Sequence, residues 1–156
     1  MNTMKPIITF LSCLICIQLF ACCNKNNEMI TSKNDTSITD SIKLKITIGS
    51  NTFNATIYNN ETLTAFKAKL PLTIDMKELN GNEKYVDLSR SLPTNASNPG
   101  IIQNGELMLY GSSTLVLFYK TFSTSYSYTK LGRIDDVTGL VAALGAGSVS
   151  VTFELE

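Results

Sequence analysis

Histidine and tryptophan are absent from the sequence, and all four cysteines occur within the first 23 residues. Without histidine the chain cannot form a Ser-His-Asp triad, a Cys-His pair or a metal site with imidazole ligands. Without a cysteine after Cys23, the rest of the chain cannot form a disulfide, so its fold must be stabilised by its core. The 13 basic and 13 acidic residues balance. This balance does not favour nucleic acid as a partner.

The N-terminal residues have the order of a secretory signal. Lys5 precedes an apolar run over residues 7–21, and the small Ala21 stands directly before Cys22. The run is shorter than the roughly 20 residues that a membrane-spanning helix needs. An ordinary signal or a short membrane anchor is the alternative interpretation.

The tetrad at residues 19–22, Leu-Phe-Ala-Cys, resembles the lipobox of bacterial lipoproteins, in which the cysteine is acylated and becomes the new N-terminus. We therefore predict a signal peptide over residues 1–21 and lipidation at Cys22. Cys23 is the weaker candidate, because Cys22 would then occupy the small position before the cut. The expected location is the bacterial cell envelope, with the membrane bound through the N-terminal lipid.

Residues 22–41 are mostly polar and have no periodicity, and we predict that they form a flexible tether. As a random coil, it would hold a domain on the order of 25 Å from the bilayer. The remaining residues, 42–156, suit one domain with a sizeable core. We expect this domain to be monomeric.

Alternating apolar residues predict strands through most of the domain. Residues 42–48 and 53–57 predict a hairpin, and residues 72–76 predict a third strand. Residues 106–110 and 114–120 predict a second hairpin, in which the strand from Thr114 is apolar on both faces and therefore central.

Two short helices are predicted between these strands. One begins after Asn60 and is stopped by Pro71, and the other begins at Asp136 and ends at Gly145. The intervening residues 79–104 contain many turn signals and predict a loop. A last strand covers residues 149–155. The expected fold class is mainly β, a closed barrel with two short helices.

Three segments, Glu78–Pro93, Gly105–Gly111 and Thr121–Asp136, resemble the signature segments of a bacterial family of cyclophilin-like domains. The resemblance extends from about Lys43 to Glu154. It implies a cyclophilin-type barrel with a helix closing each end. It implies no reaction, because most of the family lacks an assigned activity.

Peptidyl-prolyl isomerase activity is one alternative that the resemblance raises. It places Phe118 near the family's pocket phenylalanine, but Tyr128 and Ser123 fall near the usual histidine and tryptophan positions. Arg90 is a weak candidate for the catalytic arginine, in an isomerase with a rebuilt pocket. A second alternative is an accessory to a flavodoxin-like redox system, because some relatives occur beside or fused to flavodoxin-like domains.

A binding module for a peptide or a small molecule is the function we expect. Aromatic residues interleaved with hydroxyls at residues 122–129, and a charged loop at residues 80–85, suit a concave site. The predicted binding residues are Asn80, Glu83, Tyr85, Phe118, Tyr119, Phe122, Tyr126, Tyr128 and Arg133. If the site exists, Tyr126 or Tyr128 should be partly exposed in a concave patch.

The acidic residues Asp75, Glu78, Glu83 and Asp87 could supply oxygen ligands to a cation. We interpret them instead as a solvated surface. Gly145-Ala146-Gly147 follows a predicted helix rather than opening one, so it is a helix stop and not a phosphate loop. We therefore predict no metal and no cofactor.

Overall fold

The computed structural model describes residues 42–156. The predicted signal peptide, Cys22 and the tether lie outside these residues. The described part contains ten strands and two helices. In chain order they are β1 (Lys43–Ile48), β2 (Asn51–Ile57), α1 (Glu61–Lys67), β3 (Leu72–Leu79), β4 (Glu83–Asp87), β5 (Ile101–Ile102), β6 (Glu106–Tyr110), β7 (Thr114–Phe118), β8 (Phe122–Ser123), β9 (Tyr128–Ile134), α2 (Leu140–Leu144) and β10 (Val149–Leu155). Neither helix in this part is long and apolar enough to cross a membrane.

Eight of the strands form a closed antiparallel barrel, in the order β1-β10-β3-β4-β7-β6-β9-β2. The predicted hairpin of β1 and β2 is confirmed, with Leu44 opposite Ala55 and Ile46 opposite Phe53. Because side chains alternate across a strand, these apolar residues all enter the barrel. Ile42, included in the predicted strand, precedes β1 and is exposed.

The barrel interior holds the main core, and both helices contribute to it. The Asn60 side chain caps α1 by accepting a hydrogen bond from the Leu63 backbone N–H at 2.8 Å. The helix thereby directs Phe66 into the core, where its ring meets that of Phe153 edge-on at 5.8 Å. The predicted first helix and its cap are therefore confirmed.

The loop predicted over residues 79–104 is wrong at its start, because residues 83–87 form strand β4. Asn80 and Gly81 both have positive φ and make a tight turn that joins β3 to β4. β4 was hidden in the sequence because its alternating residues are mostly charged or polar.

The second predicted helix is shorter than expected. Asp136 does not cap α2; its carboxylate accepts a hydrogen bond from the Thr138 backbone N–H in a turn that precedes the helix. Gly139 follows with a φ of 80° and is the N-cap, so only residues 140–144 are helical. Val141 is exposed, although its spacing from Val137 and Leu144 would place it on the apolar face of a helix. Gly145 ends the helix as predicted, with a φ of 60°.

A second, smaller core lies on the outer wall of the barrel. Strands β5 and β8 form a two-stranded sheet whose residues Ile102 and Phe122 pack onto the outward side chains of β6, β7 and β9. Val116 and Phe118 are therefore buried on the outer face of β7, while Leu115 and Leu117 are buried on the inner face. The prediction that this strand is covered on both sides is confirmed.

Candidate functional site

A cleft of about 580 Å³ opens on the outer wall of the barrel, beside the second core. The β3–β4 turn forms one side, and residues 122–128 form the other. The outward faces of β4 and β7 form the floor. We call it the aromatic cleft, because four tyrosines, Tyr85, Tyr110, Tyr126 and Tyr128, line it together with Phe122.

Strand alternation places the polar residues of the cleft. On β4, Glu83, Tyr85 and Asp87 point outward into the cleft, whereas Lys84 and Val86 point inward. Thr114 on β7 lies directly opposite Asp87. Its hydroxyl donates a hydrogen bond to the Asp87 carboxylate at 2.6 Å, so this carboxylate already has a partner.

The aromatic rings form a connected series across the cleft. Tyr110 meets Tyr126 edge-on at 6.0 Å and Tyr128 at 5.5 Å, measured between ring centroids. Beneath them, Phe118 meets Tyr128 at 5.5 Å and Phe122 at 5.7 Å. Tyr128 is nearly buried, but Tyr126 is 62% exposed. The concave patch with a partly exposed tyrosine, expected from the sequence, is therefore present.

Backbone and side-chain hydrogen bonds hold the exposed side of the cleft in place. The Thr124 N–H donates to the Gly100 carbonyl at 2.9 Å, and the Asn98 amide donates to the Ser125 carbonyl at 3.1 Å. The Tyr126 N–H donates to the Thr124 hydroxyl at 3.1 Å. The segment is thus attached to the residues before β5, which favours a preformed cleft.

Glu83 is the more buried of the two acidic residues that line the cleft. The residue is only 9% exposed, yet no residue among those described donates a hydrogen bond to its carboxylate or pairs with it. Burial, and secondly the negative charge of Glu78, raise the pKa of Glu83. Burial, and secondly the charge of Glu83, likewise raise the pKa of Tyr128. A negative charge at Glu83 thus also opposes ionisation of Tyr128.

The next residue, Lys84, lies inside the barrel and is fully buried. Its ammonium group pairs with Glu78 at 2.6 Å and donates to the carbonyls of Gly145 and Gly147 at 2.9 and 2.6 Å. Burial opposes ionisation of Glu78, but hydrogen bonds from Lys84 and Tyr119 outweigh it, so the pKa of Glu78 is lowered. Lys84 has its partners on this inner side, and none of them is Glu83.

The structure brings together most of the predicted binding residues, but not all. Asn80, Glu83, Tyr85, Phe122, Tyr126 and Tyr128 line the cleft, and Phe118 lies beneath it in the second core. Tyr119 faces the opposite way: its hydroxyl donates to Glu78 at 2.7 Å, and burial raises its pKa to about 12.

The two predicted arginines do not line the cleft. The Arg133 Nε donates to the Asn104 carbonyl at 3.3 Å. The nearby carboxylate of Asp135 pairs with Lys43 and not with Arg133. Arg90 is exposed on the segment after β4.

Sequence reasoning missed Tyr110, Asp87 and Thr114, which also line the cleft. Tyr110 and Thr114 flank the β6–β7 turn at the same register position. Recognising β4 as a strand would have placed Asp87 on the same outward face as Glu83 and Tyr85. Among residues 42–156, no three side chains of metal-ligating type converge on one point.

Comparison with known proteins identifies the family of this chain. A search of curated proteins finds no match for this chain. Among solved structures, the chain is similar to the solution structure of the hypothetical protein AF2241 from Archaeoglobus fulgidus, with 19% identity and a TM-score of 0.47. The match covers 73% of this chain and 94% of that one. The model of the Cyclophilin-like family matches residues 46–154, nearly the whole described domain. The chain therefore belongs to the Cyclophilin-like family.

Proposed function

We propose that the protein is a lipid-anchored binding module of the cell envelope, and that its domain binds a peptide or a small molecule in the aromatic cleft. One observation carries this proposal: a concave site on the outer barrel wall is lined by four tyrosines and held open by hydrogen bonds. Its volume of about 580 Å³ falls within the range of ligand sites.

The lining combines apolar rings with groups that can orient a ligand. The exposed Tyr126 and Tyr110 offer ring faces and hydroxyls, and residues 123–125 add three further hydroxyls. Tyrosine provides a large contact area while losing little conformational entropy on binding. Such a surface suits reversible capture of a ligand.

The lining supports binding better than proline isomerisation. Isomerisation by a cyclophilin-type mechanism uses an arginine that polarises the amide nitrogen. Within the described part of the chain, neither lysine nor arginine lines the cleft, and Arg90 lies outside it. A proline-limited refolding assay tests this preference. Acceleration by the full chain that is abolished in Arg90→Ala would contradict it.

The chain provides its own optical probe for ligand binding. It contains no tryptophan, and four of its six tyrosines line the cleft, so its intrinsic fluorescence arises largely from the site. We would screen fragments and short peptides against the full chain in detergent micelles. A true ligand should change the tyrosine emission and bind at least about tenfold more weakly to Tyr126→Ala.

Tyr58→Ala is the matched control, because Tyr58 is also exposed but lies outside the cleft. Equal losses in the two variants, or ligands that bind both as well as the wild type, would refute the assignment of the cleft.

The anchoring part of the proposal rests on the lipobox-like residues 19–22. Mass spectrometry of the mature protein should show an acylated Cys22 at the N-terminus. Cys22→Ser should release the protein from the membrane fraction. A mature chain that begins elsewhere without a lipid would contradict the proposed location.

A further inference from the structure

The aromatic cleft carries negative charge, although the chain as a whole is neutral. Glu83 and Asp87 are the charged residues of its lining, and no cationic side chain of the described residues joins them there. Asp87 is exposed and already accepts a hydrogen bond from Thr114. Glu83, in contrast, is nine-tenths buried, and it lines the cleft without a donor among residues 42–156.

Strand geometry prevents the adjacent lysine in the chain from neutralising Glu83. Lys84 is its sequence neighbour, but consecutive residues of a strand point to opposite faces. Lys84 is enclosed in the barrel with Glu78 and two carbonyls as partners. A buried carboxylate without a partner is costly to maintain. The cleft is the direction from which a donor can reach Glu83.

Asn82 is the residue before Glu83 in the chain. It also lines the cleft, and its side-chain oxygen is buried without a donor among the described residues. Glu83, an acceptor without a donor in the described domain, favours a ligand rich in N–H groups over one that offers only acceptors.

The tyrosine rings favour positive charge independently of Glu83. The face of an aromatic ring attracts ammonium and guanidinium groups, and the attraction increases when the cation is desolvated. Tyr85 lies two residues from Glu83 on the same strand face, and Tyr128 lines the same cleft.

We propose that the cleft binds an organic cation that carries N–H donors, an alkylammonium or guanidinium group, with its charge against Glu83 and its carbon atoms against the tyrosine rings. This inference rests on the proposed function and names the class of ligand. A bare metal ion fits less well, since hard cations require several oxygen ligands, and no such group of side chains converges among residues 42–156.

Calorimetric titration of the full chain in detergent micelles tests the charge requirement with matched probes. N-acetyl-arginine methylamide and its citrulline counterpart have nearly the same shape but differ in charge. The arginine probe should bind at least about tenfold more tightly. Butylguanidinium reports whether a free small cation suffices or whether peptide-like flanks add affinity. Equal binding of the arginine and citrulline probes would overturn the proposal.

Glu83→Gln tests the residue itself, because it keeps the shape and removes the charge. It should weaken binding of the arginine probe about tenfold and leave binding of the citrulline probe unchanged. Asp75→Asn is the control, since Asp75 is an exposed carboxylate outside the cleft and its loss changes the net charge equally. Equal effects of the two variants would show that only the overall charge matters, and would refute the site.

Failure of this inference can be distinguished from failure of the proposed function. If the cationic probes do not bind, but neutral fragments bind and lose affinity in Tyr126→Ala, then the cleft is a binding site and the cation assignment is wrong. If neither cationic nor neutral probes respond to changes in the cleft, both proposals are wrong.

Discussion

Replacing Lys84 with methionine removes a fully buried ammonium group while retaining most of the side-chain volume. The change leaves the carbonyls of Gly145 and Gly147 without their donor and deprives Glu78 of its ion pair. These contacts join β4 to the segment between α2 and β10, so the substitution tests how that segment is attached to the barrel.

The expected cost follows from the environment of each partner. Breaking a fully buried ion pair by removing one member costs about 3–5 kcal/mol. Glu78 is 24% exposed at its side chain and keeps the Tyr119 hydroxyl and the Gly81 N–H as donors, so solvent and these donors reduce its share. The two carbonyls add about 1 kcal/mol each. We expect Lys84→Met to lower the free energy of unfolding by about 3 kcal/mol.

Urea unfolding of the full chain, followed by tyrosine fluorescence, measures this change. Lys45→Met is the control, because Lys45 pairs with Glu154 at a similar distance of 2.9 Å but both side chains are more than one-third exposed. Such a surface pair contributes only about 0–1 kcal/mol. If the two variants lose equal stability, the argument that burial makes the Lys84 contacts strong is refuted.

Two further predictions concern stability. Gly132→Ala should cost about 1–3 kcal/mol in urea unfolding, because a Cβ atom would lie 2.7 Å from the Thr56 carbonyl oxygen; wild-type stability would show that β2 and β9 can separate there. Glu83→Gln should stabilise the protein increasingly as the pH rises. Because the pKa of Glu83 is raised in the folded state, the folded protein keeps the Glu83 proton at pH values at which the unfolded chain has lost it. The stability of the wild type therefore falls as the pH rises between the unfolded and the folded pKa. Glu78, Tyr128 and Tyr119, which are coupled electrostatically to Glu83, are present in both proteins. A difference in the free energy of unfolding that does not change with pH would contradict the prediction.

The parts of the fold that were predictable from the sequence are those in which one physical signal dominates. The β1–β2 hairpin has regular alternation, and Asn60 before Leu63 and Phe66 is a strong helix start. The barrel class followed from the number of such strands. β4 was missed because the Glu83–Asp87 segment buries a lysine inside and a glutamate outside. The burial of Lys84 depends on Glu78 and on the carbonyls of Gly145 and Gly147, which are distant in the sequence or follow another element. Sequence periodicity contains no information about those partners.

The part of the site that could be predicted consists of residues close in sequence to strand β7. Phe122, Tyr126 and Tyr128 follow β7 directly, so their position above Phe118 could be inferred. Tyr119 could not be placed correctly without the register, because a shift of one residue moves a side chain to the other face. Its pairing with Glu78 through the barrel interior is a contact between residues 41 positions apart.

Strand β4 connects the stability of the barrel with the chemistry of the cleft. The alternation that directs Lys84 inward, to fix the α2–β10 segment, also directs Glu83 outward without a counterion. Were the two charges able to pair, the cleft would keep only the charge of Asp87, and the barrel end would lose its attachment. The negative charge of Glu78, stabilised by Lys84 and Tyr119 on the inner side, further opposes ionisation of Glu83. A cationic ligand would relieve this repulsion, so binding at the outer wall should stabilise the barrel most where Glu83 is ionised.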